Sequence, residues 1–196
     1  MSTKSEATIS DILAAAEALF IEKNYADVSM TEIAEHTRVT KGGLYHHFPS
    51  KEALYMEMIF GVLAEVSELC QQAVDSEGTC YDRLRLANEN IFKMPQAKRR
   101  VLRLVRRDIN TFEGPARRQL ILAYQRALPE KIESILEDGI KAGEIRAEDP
   151  RLLSWELVSM IEIVLTGYAR RSIGSADKRL NFVLRLFFDG VGQGQP

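Results

Sequence analysis

Apolar residues recur at intervals of three and four along most of this 196-residue chain, the spacing of a helix that buries one face. Alternation at every second position is scarce, and no turn dipeptide separates two alternating apolar runs, so strands and hairpins are not expected. The pattern predicts a first helix over about 8–23, with Ile9, Leu13, Ala16 and Phe20 on one face. Thr8 and Asp11 have the spacing of a capping box that would open it. Asn24 stands where a left-handed residue would close it. Ser29 and Glu32 then open a short helix whose Met30, Ile33 and Ala34 face inward, and the chain breaks around 37–39. Thr40 caps a second short helix over 41–47, Pro49 stops it, and Ser50 caps a long helix that carries Leu54, Met58, Val62 and Val66 towards Cys70.

Further helices are expected over 81–93 and 95–110, with a loop at 76–79 before them and Pro95 at a first helical position. Gly114 and Pro115 mark a joint. A long helix over 116–142 follows, kinked or split by Pro129 and ended by Gly143. Asp149 and Pro150 open a helix to about 171, Gly174 breaks the chain, and the last helix covers 177–189. The Gly-rich tail 190–196 is expected to fray.

The stretch from Ser29 to Lys51 is the most informative. Two short helices flank a tight break and are too small to hide their own apolar faces, so they must lean on the first helix through Phe20, Ile33, Val39, Leu44 and Phe48. That makes a three-helix unit with one face of the last short helix exposed. The expected fold class is therefore all-α: an N-terminal helix-turn-helix unit, residues 1–52, followed by a larger helical part, residues 53–196.

Charge refines this picture. The chain carries a formal net charge of -2, and residues 1–51 hold five basic residues against seven acidic ones. Yet no acid occurs between His36 and Lys51, where Arg38, Lys41 and Lys51 accompany His46 and His47. The positive field is thus local to the second short helix and its flanks. Each residue type there suits DNA contact. Lys41 offers a mobile cation, Thr31 and Thr40 offer hydroxyls at helix starts, and Tyr45 and His46 offer further donors. Gly42 and Gly43 let backbone approach the duplex, which explains a pair that costs roughly 1 kcal/mol each relative to Ala within a helix. Adjacent histidines point apart on a helix and no acid or thiol lies nearby, so no metal is expected at His46-His47. Tyr45 is read as a contact residue and Phe48 as core.

Residues 1–55 closely resemble the DNA-binding domain of the tetracycline-repressor (TetR/AcrR) family. The resemblance lies in Ile12 to Ala16 with Leu19-Phe20, in Ile33-Ala34, in Val39-Thr40-Lys41-Gly42-Gly43-Leu44-Tyr45-His46-His47-Phe48, and in Ser50-Lys51-Glu52-Ala53-Leu54. The all-helical remainder resembles the family in architecture only. The resemblance implies a sequence-specific transcriptional regulator, a repressor by default, released from its operator by a small-molecule effector. It places base and phosphate contacts on Thr31, Thr40, Lys41, Gly42, Gly43, Tyr45, His46 and Lys51. Two positions depart from the family's pattern: Asn24 and Arg38 stand where Gly is common. A side chain in a left-handed turn costs roughly 1 kcal/mol or more. Either the turn is altered or Arg38 offsets the strain by reaching a phosphate, so it joins the contact set.

Outside this unit, Lys98, Arg99, Arg100, Arg103, Arg106 and Arg107 crowd one stretch opposite Val101, Leu102, Val105 and Ile109. This reads as an amphipathic helix with a solvated cationic face. Between Leu152 and Tyr168 apolar residues nearly encircle the axis, and Leu180, Phe182, Val183, Leu184, Leu186, Phe187 and Phe188 repeat this at the end. Gly167 and Ala169 favour close helix approach. A helix apolar all round needs a partner on both sides, so a homodimer through the last two helices is expected, as the family resemblance also implies. On the otherwise apolar penultimate helix, Ser159, Glu162 and Thr166 form a polar stripe with Trp155 at its edge. Trp155, Ser159 and Glu162, with Phe92, Asn110 and Tyr124, are the expected effector-binding residues. Glu162 would be costly without a partner, and structural pairing is expected.

No motif groups a nucleophile with an acid and a base, so no enzyme activity is expected. No cofactor is called for. Cys70 and Cys80 form no disulfide framework and are expected to be buried thiols. The N-terminus lacks the apolar stretch of a signal peptide and no apolar run has membrane-spanning length, so a cytoplasmic setting is expected.

Overall fold

The computed structural model describes residues 3–192. In chain order the helices are α1 (Thr3–Glu22), α2 (Met30–Thr37), α3 (Lys41–His47), α4 (Lys51–Val74), α5 (Cys80–Lys93), α6 (Gln96–Asp108), α7 (Gly114–Ala127), α8 (Pro129–Lys141), α9 (Pro150–Val164), α10 (Gly167–Ser172) and α11 (Ala176–Val191). Turns of 3-10 helix cover Tyr25–Asp27 and Ile109–Thr111. The described residues contain no strand; a single bridge pairs Ile145 with Gly192.

Local chemistry sets most boundaries as the sequence predicts. Ser29 accepts a hydrogen bond from the Glu32 amide at 3.1 Å, Thr40 from the Gly43 amide at 3.0 Å, and Ser50 from the Ala53 amide at 3.0 Å. Each satisfies an amide that the helix start leaves unpaired. Ser29 and Glu32 have the spacing of a capping box, but the Glu32 carboxylate does not complete it and pairs with Lys23 instead. Thr79 and Asp82 do form a reciprocal box at the start of α5. Gly143, at φ 72°, follows α8 in the left-handed region that glycine adopts freely.

Several boundaries differ. Nothing in the segment before Thr8 breaks a helix, so α1 starts at Thr3 and Thr8 and Asp11 lie inside it rather than capping it. Asn24 is extended (φ −74°, ψ 157°), not left-handed, because the chain passes directly into a 3-10 turn; its amide donates to the Asp27 carboxylate at 3.3 Å. Pro95 precedes α6 as its cap residue rather than occupying the first helical position. Pro129 splits the long helix outright, with Leu128 non-helical at φ −134°. The helix expected to reach residue 171 ends at Val164. Thr166 turns extended and accepts from the Ala169 amide at 3.3 Å, so it caps α10 and leaves the polar stripe assigned to it. At the end of α11, Val191 is helical and Gly192 is bridged; residues 193–196 of the tail lie outside the described residues.

The described residues form two compact units. One runs to Leu63 and includes Pro95–Leu122; the other comprises Ala64–Met94 and the chain from Ala123 onward. In the first, α1 packs on α2 and on α6, and α2 on α3. Its centre is an aromatic cluster. Tyr55 meets Phe20 edge-on with ring centroids 4.9 Å apart, Tyr25 at 5.0 Å and Phe112 at 5.3 Å. A buried polar network adjoins the cluster. Asp108, 3% exposed, accepts from the Tyr55 hydroxyl at 2.9 Å and from Arg107 Nε and Nη2 at 2.7 Å each. Arg107 Nη2 also donates to the Phe20 carbonyl at 3.0 Å, one of the last four carbonyls of α1, which lack helical partners. Burial and the neighbouring Asp108 carboxylate push the Tyr55 hydroxyl pKa well above its ordinary value.

In the second unit, α8 packs on α9 and α5, and α11 on α5 and α9. Gly139 permits the α5–α8 contact: a Cβ there would lie 2.7 Å from the Cys80 Cβ. Arg83 closes the end of α4, donating to the carbonyls of Ala73 and Val74 at 3.3 and 2.7 Å and to Asp138 at 3.0 Å. Cys70 and Cys80 are free and buried, and burial pushes both thiols up to about 12. A thiol attacks as its thiolate. Ellman's reagent at pH 8 is therefore expected to titrate both thiols in denaturant and neither in native buffer; rapid native labelling would contradict the burial described here.

Candidate nucleic-acid interface

α2 and α3 present one set of residues to the core and another to solvent. Met30, Ile33, Ala34, Leu44 and Phe48 are buried. Thr31, Arg38, Thr40, Lys41, Gly42, Tyr45 and His46 are exposed, and Gly43 is half-buried. Seven of the nine residues expected to contact DNA thus lie on the exposed surface of this two-helix segment. Tyr45 is 43% exposed although its neighbour Leu44 is fully buried, which places the phenol on the outer face of α3. A Cβ on Gly42 would meet no atom within 4 Å, whereas one on Gly43 would approach the Thr40 hydroxyl at 3.2 Å. Gly43 therefore protects the cap, while Gly42 leaves the outer face bare. The rings of His46 and His47 do not point apart as expected; their centroids are 5.4 Å apart in edge contact. Among the described residues no group of three or more His, Cys, Asp or Glu is placed to hold a metal.

The turn between the two helices is retained. Arg38 follows α2 at φ 56° and ψ 20°, and among the described residues it is the non-glycine residue in that region. Among the described residues, no hydrogen bond or ion pair engages its guanidinium. Lys51 is placed differently from the other candidates. Its ammonium donates to the carbonyls of Tyr25 at 2.7 Å, Val28 at 2.8 Å and Ala26 at 3.4 Å. It also sits 4.4 Å from the centroid of the Tyr25 ring.

The expected effector residues do not all converge. Tyr124 and Trp155 lie 6.0 Å apart between ring centroids, and the Tyr124 hydroxyl donates to Glu162 Oε1 at 3.3 Å. Glu162 thus has a tyrosine among its structural partners. Ser159 shares the α9 flank with Trp155 and Glu162 and is half-buried. Phe92 instead lies 5.4 Å from the Arg179 guanidinium and lines a separate hollow of about 240 Å³ with Glu89, Lys93, Ala176, Asp177 and Leu180. Asn110 belongs to the first unit and accepts from Arg117 at 3.1 Å.

On α6, Arg100, Arg103 and Arg106 are exposed opposite buried Val101, Leu102, Leu104 and Val105. Arg107 is exposed as well, but its guanidinium is held by Asp108 and the Phe20 carbonyl. The sequence reading missed Asp108 and Tyr55. The signal was available, since Asp108 falls seven residues after Val101 and three after Val105, in the middle of the apolar arc.

Large apolar side chains remain exposed on the last helices: Leu152 and Ile163 on α9, Tyr168 on α10, and Phe182 and Leu186 on α11. No helix among the described residues is long and apolar enough to cross a membrane.

A capped short helix after a tight left-handed turn, buried on one side and basic and acid-free on the other, defines a helix-turn-helix DNA-binding protein. Residues 12–58 match the bacterial regulatory proteins of the tetR family, and residues 77–171 match the tetracyclin repressor-like C-terminal domain. The chain belongs to the TetR family and is a DNA-binding transcriptional regulator. It is 26% identical over 151 residues to the uncharacterized HTH-type transcriptional regulator YhgD of Bacillus subtilis, covering 76% of this chain and 78% of YhgD. It is 24% identical over 189 residues to the HTH-type transcriptional repressor AcnR of Corynebacterium diphtheriae, covering 95% of this chain and 92% of AcnR. The crystal structure of AibR in complex with isovaleryl coenzyme A and operator DNA shares the fold, with a TM-score of 0.79 and 20% identity over 91% of this chain and 97% of AibR.

Proposed function

We propose that the protein is a homodimeric repressor that a small-molecule effector releases from its operator. Residues 1–52 carry operator recognition; residues 53–196 carry effector binding and dimerisation. The observation that carries this reading is the exposed, acid-free face of α3, with Lys41 and Tyr45 outward and Leu44 and Phe48 inward. Thr31, Arg38, Thr40, Lys41, Gly42, Gly43, Tyr45 and His46 make the DNA contacts. The AcnR likeness supports repression rather than activation.

The exposed large apolar side chains gathered on α9, α10 and α11 support dimerisation through the C-terminal helices, since their burial needs a partner surface. Two-fold pairing sets two copies of α3 roughly 34–36 Å apart, one DNA turn, on a near-palindromic operator. An effector weakens binding only if it favours a different spacing. Tyr124, Trp155, Ser159 and Glu162 are the proposed effector contacts, because a carboxylate, a hydroxyl and two aromatic faces meet there. AibR, of the same fold, was solved with both an acyl-coenzyme A and operator DNA, which supports effector control. The protein acts in the cytoplasm, without catalysis of its own.

The test begins by selecting a duplex of about 30 base pairs from a random pool with the wild-type protein, long enough for two half-sites. Lys41→Ala and Tyr45→Ala are each expected to weaken binding to it about ten- to thirty-fold, with Lys41→Ala also lowering the salt dependence. Both variants should keep the wild-type melting curve and mass. Wild-type affinity in both would refute the assignment of α3.

A further inference from the structure

We infer that Lys51 is a positioning residue for DNA recognition, which locks the turn before α2 in place, and not a phosphate ligand. The inference rests on the helix-turn-helix reading above and revises the role that the family resemblance gives this lysine.

The turn at Tyr25–Asp27 joins α1 to Ser29, the cap of α2. Carbonyls in such a turn have no helical N–H groups donating to them and must find other donors. An ammonium has three donors and no acceptor, and Lys51 directs its donors to the carbonyls of Tyr25, Val28 and Ala26. Val28 immediately precedes the Ser29 cap, so the clasp fixes the residue from which α2 departs. The Tyr25 ring beneath the ammonium adds a cation–π contact. Tyr25 also meets Phe20 with ring centroids 5.9 Å apart, Tyr55 at 5.0 Å and Phe112 at 4.8 Å. Lys51, at the start of α4, thus ties α2 to the aromatic cluster that holds α1 and α6. Burial lowers the pKa of the ammonium, with Asp27 acting in the opposite sense. To reach a phosphate, Lys51 would have to leave all three carbonyls and the ring.

The consequence falls on Thr31, one residue into α2, and through α2 on Arg38 and the start of α3. A loosened turn lets this surface pivot, so specific affinity falls without the loss of any phosphate contact.

Three measurements on the full-length protein test this. In hydrogen exchange of free protein, Lys51→Met should speed exchange of the amides at 26–32 at least tenfold while α8 and α9 stay protected. On the selected duplex, Lys51→Met should lower affinity at least tenfold yet leave the slope of log K against log salt unchanged. Affinity for mixed-sequence DNA should stay within about twofold. A lost phosphate contact would instead reduce that slope by about 0.9 per subunit and weaken both DNAs. Lys51→Arg separates the two roles if Lys51→Met fails to fold. Arginine keeps the charge and would rescue a phosphate contact, but its planar fork does not fit a clasp made by a compact ammonium, so no rescue is expected. Tyr25→Leu should reproduce the affinity loss and be non-additive with Lys51→Met. Unchanged exchange, a reduced salt slope, rescue by arginine or full additivity would each overturn the inference. Failure of the wild-type protein to select any duplex would instead count against the helix-turn-helix reading itself, and the exchange experiment would still decide the clasp.

Discussion

Asp108→Ala is expected to destabilise the first unit by about 2–4 kcal/mol, somewhat below the roughly 3–5 kcal/mol for breaking a fully buried charged pair. The carboxylate is buried and receives three hydrogen bonds, from Tyr55 and twice from Arg107. Alanine leaves the Tyr55 hydroxyl without an acceptor and Arg107 without its counter-charge. The Arg107 side chain is 34% exposed, so water recovers part of its solvation and the loss stays below the figure for a fully buried pair. At this chain length the loss corresponds to a fall in Tm of roughly 5–15 °C. Asp108→Asn keeps an acceptor for Tyr55 and should lose less, and Tyr55→Phe should lose only about 1 kcal/mol. Differential scanning calorimetry ranks the three. An Asp108→Ala protein melting within 2 °C of wild type, a margin of about half a kcal/mol, would show that the network is replaced by water at little cost.

Arg38→Gly is expected to move stability and DNA affinity in opposite directions. Arginine at φ 56° carries a penalty of about 1 kcal/mol that glycine does not, so the variant should unfold at higher denaturant. A charge-assisted bond to phosphate contributes roughly 1.5 kcal/mol. Loss of that bond at both half-sites should weaken operator binding by about a hundredfold and lower the salt slope by nearly two. Denaturant melts and salt-series titrations on one preparation measure both effects. If glycine stabilises the fold and binding is unchanged, Arg38 carries strain for no contact with DNA, and it leaves the proposed contact set.

The sequence showed most helices because their caps and breakers are local. Ser29, Thr40, Ser50, Pro129, Asp149 and Gly143 act on neighbours within four residues, and each lies at a helix boundary. The failures were also local in origin. Thr8 has the chemistry of a cap, but nothing before it stops the helix, and Thr166 resembles a helix interior until its cap geometry appears. The exposed face of α3 was legible because the absence of acid between His36 and Lys51 is visible in one dimension. The clasp at Lys51 was not, since its acceptors are backbone carbonyls, which carry no side-chain signature. Phe92 and Tyr124 look alike as isolated aromatics. Only packing puts Tyr124 beside Trp155 and Glu162 and Phe92 beside Arg179.

The first unit draws Pro95–Leu122 from beyond the helix-turn-helix, and the chain crosses between the two units three times, after Leu63, Met94 and Leu122. A reader head of this kind cannot be cut off by a single scission. A fragment ending near residue 63 would strip α6 from α1 and leave Phe20 and Tyr55 without Phe112, Arg107 and Asp108. Grafting this protein's operator preference onto a relative therefore calls for transplanting two separate stretches, or for exchanging only the outward side chains of α2 and α3.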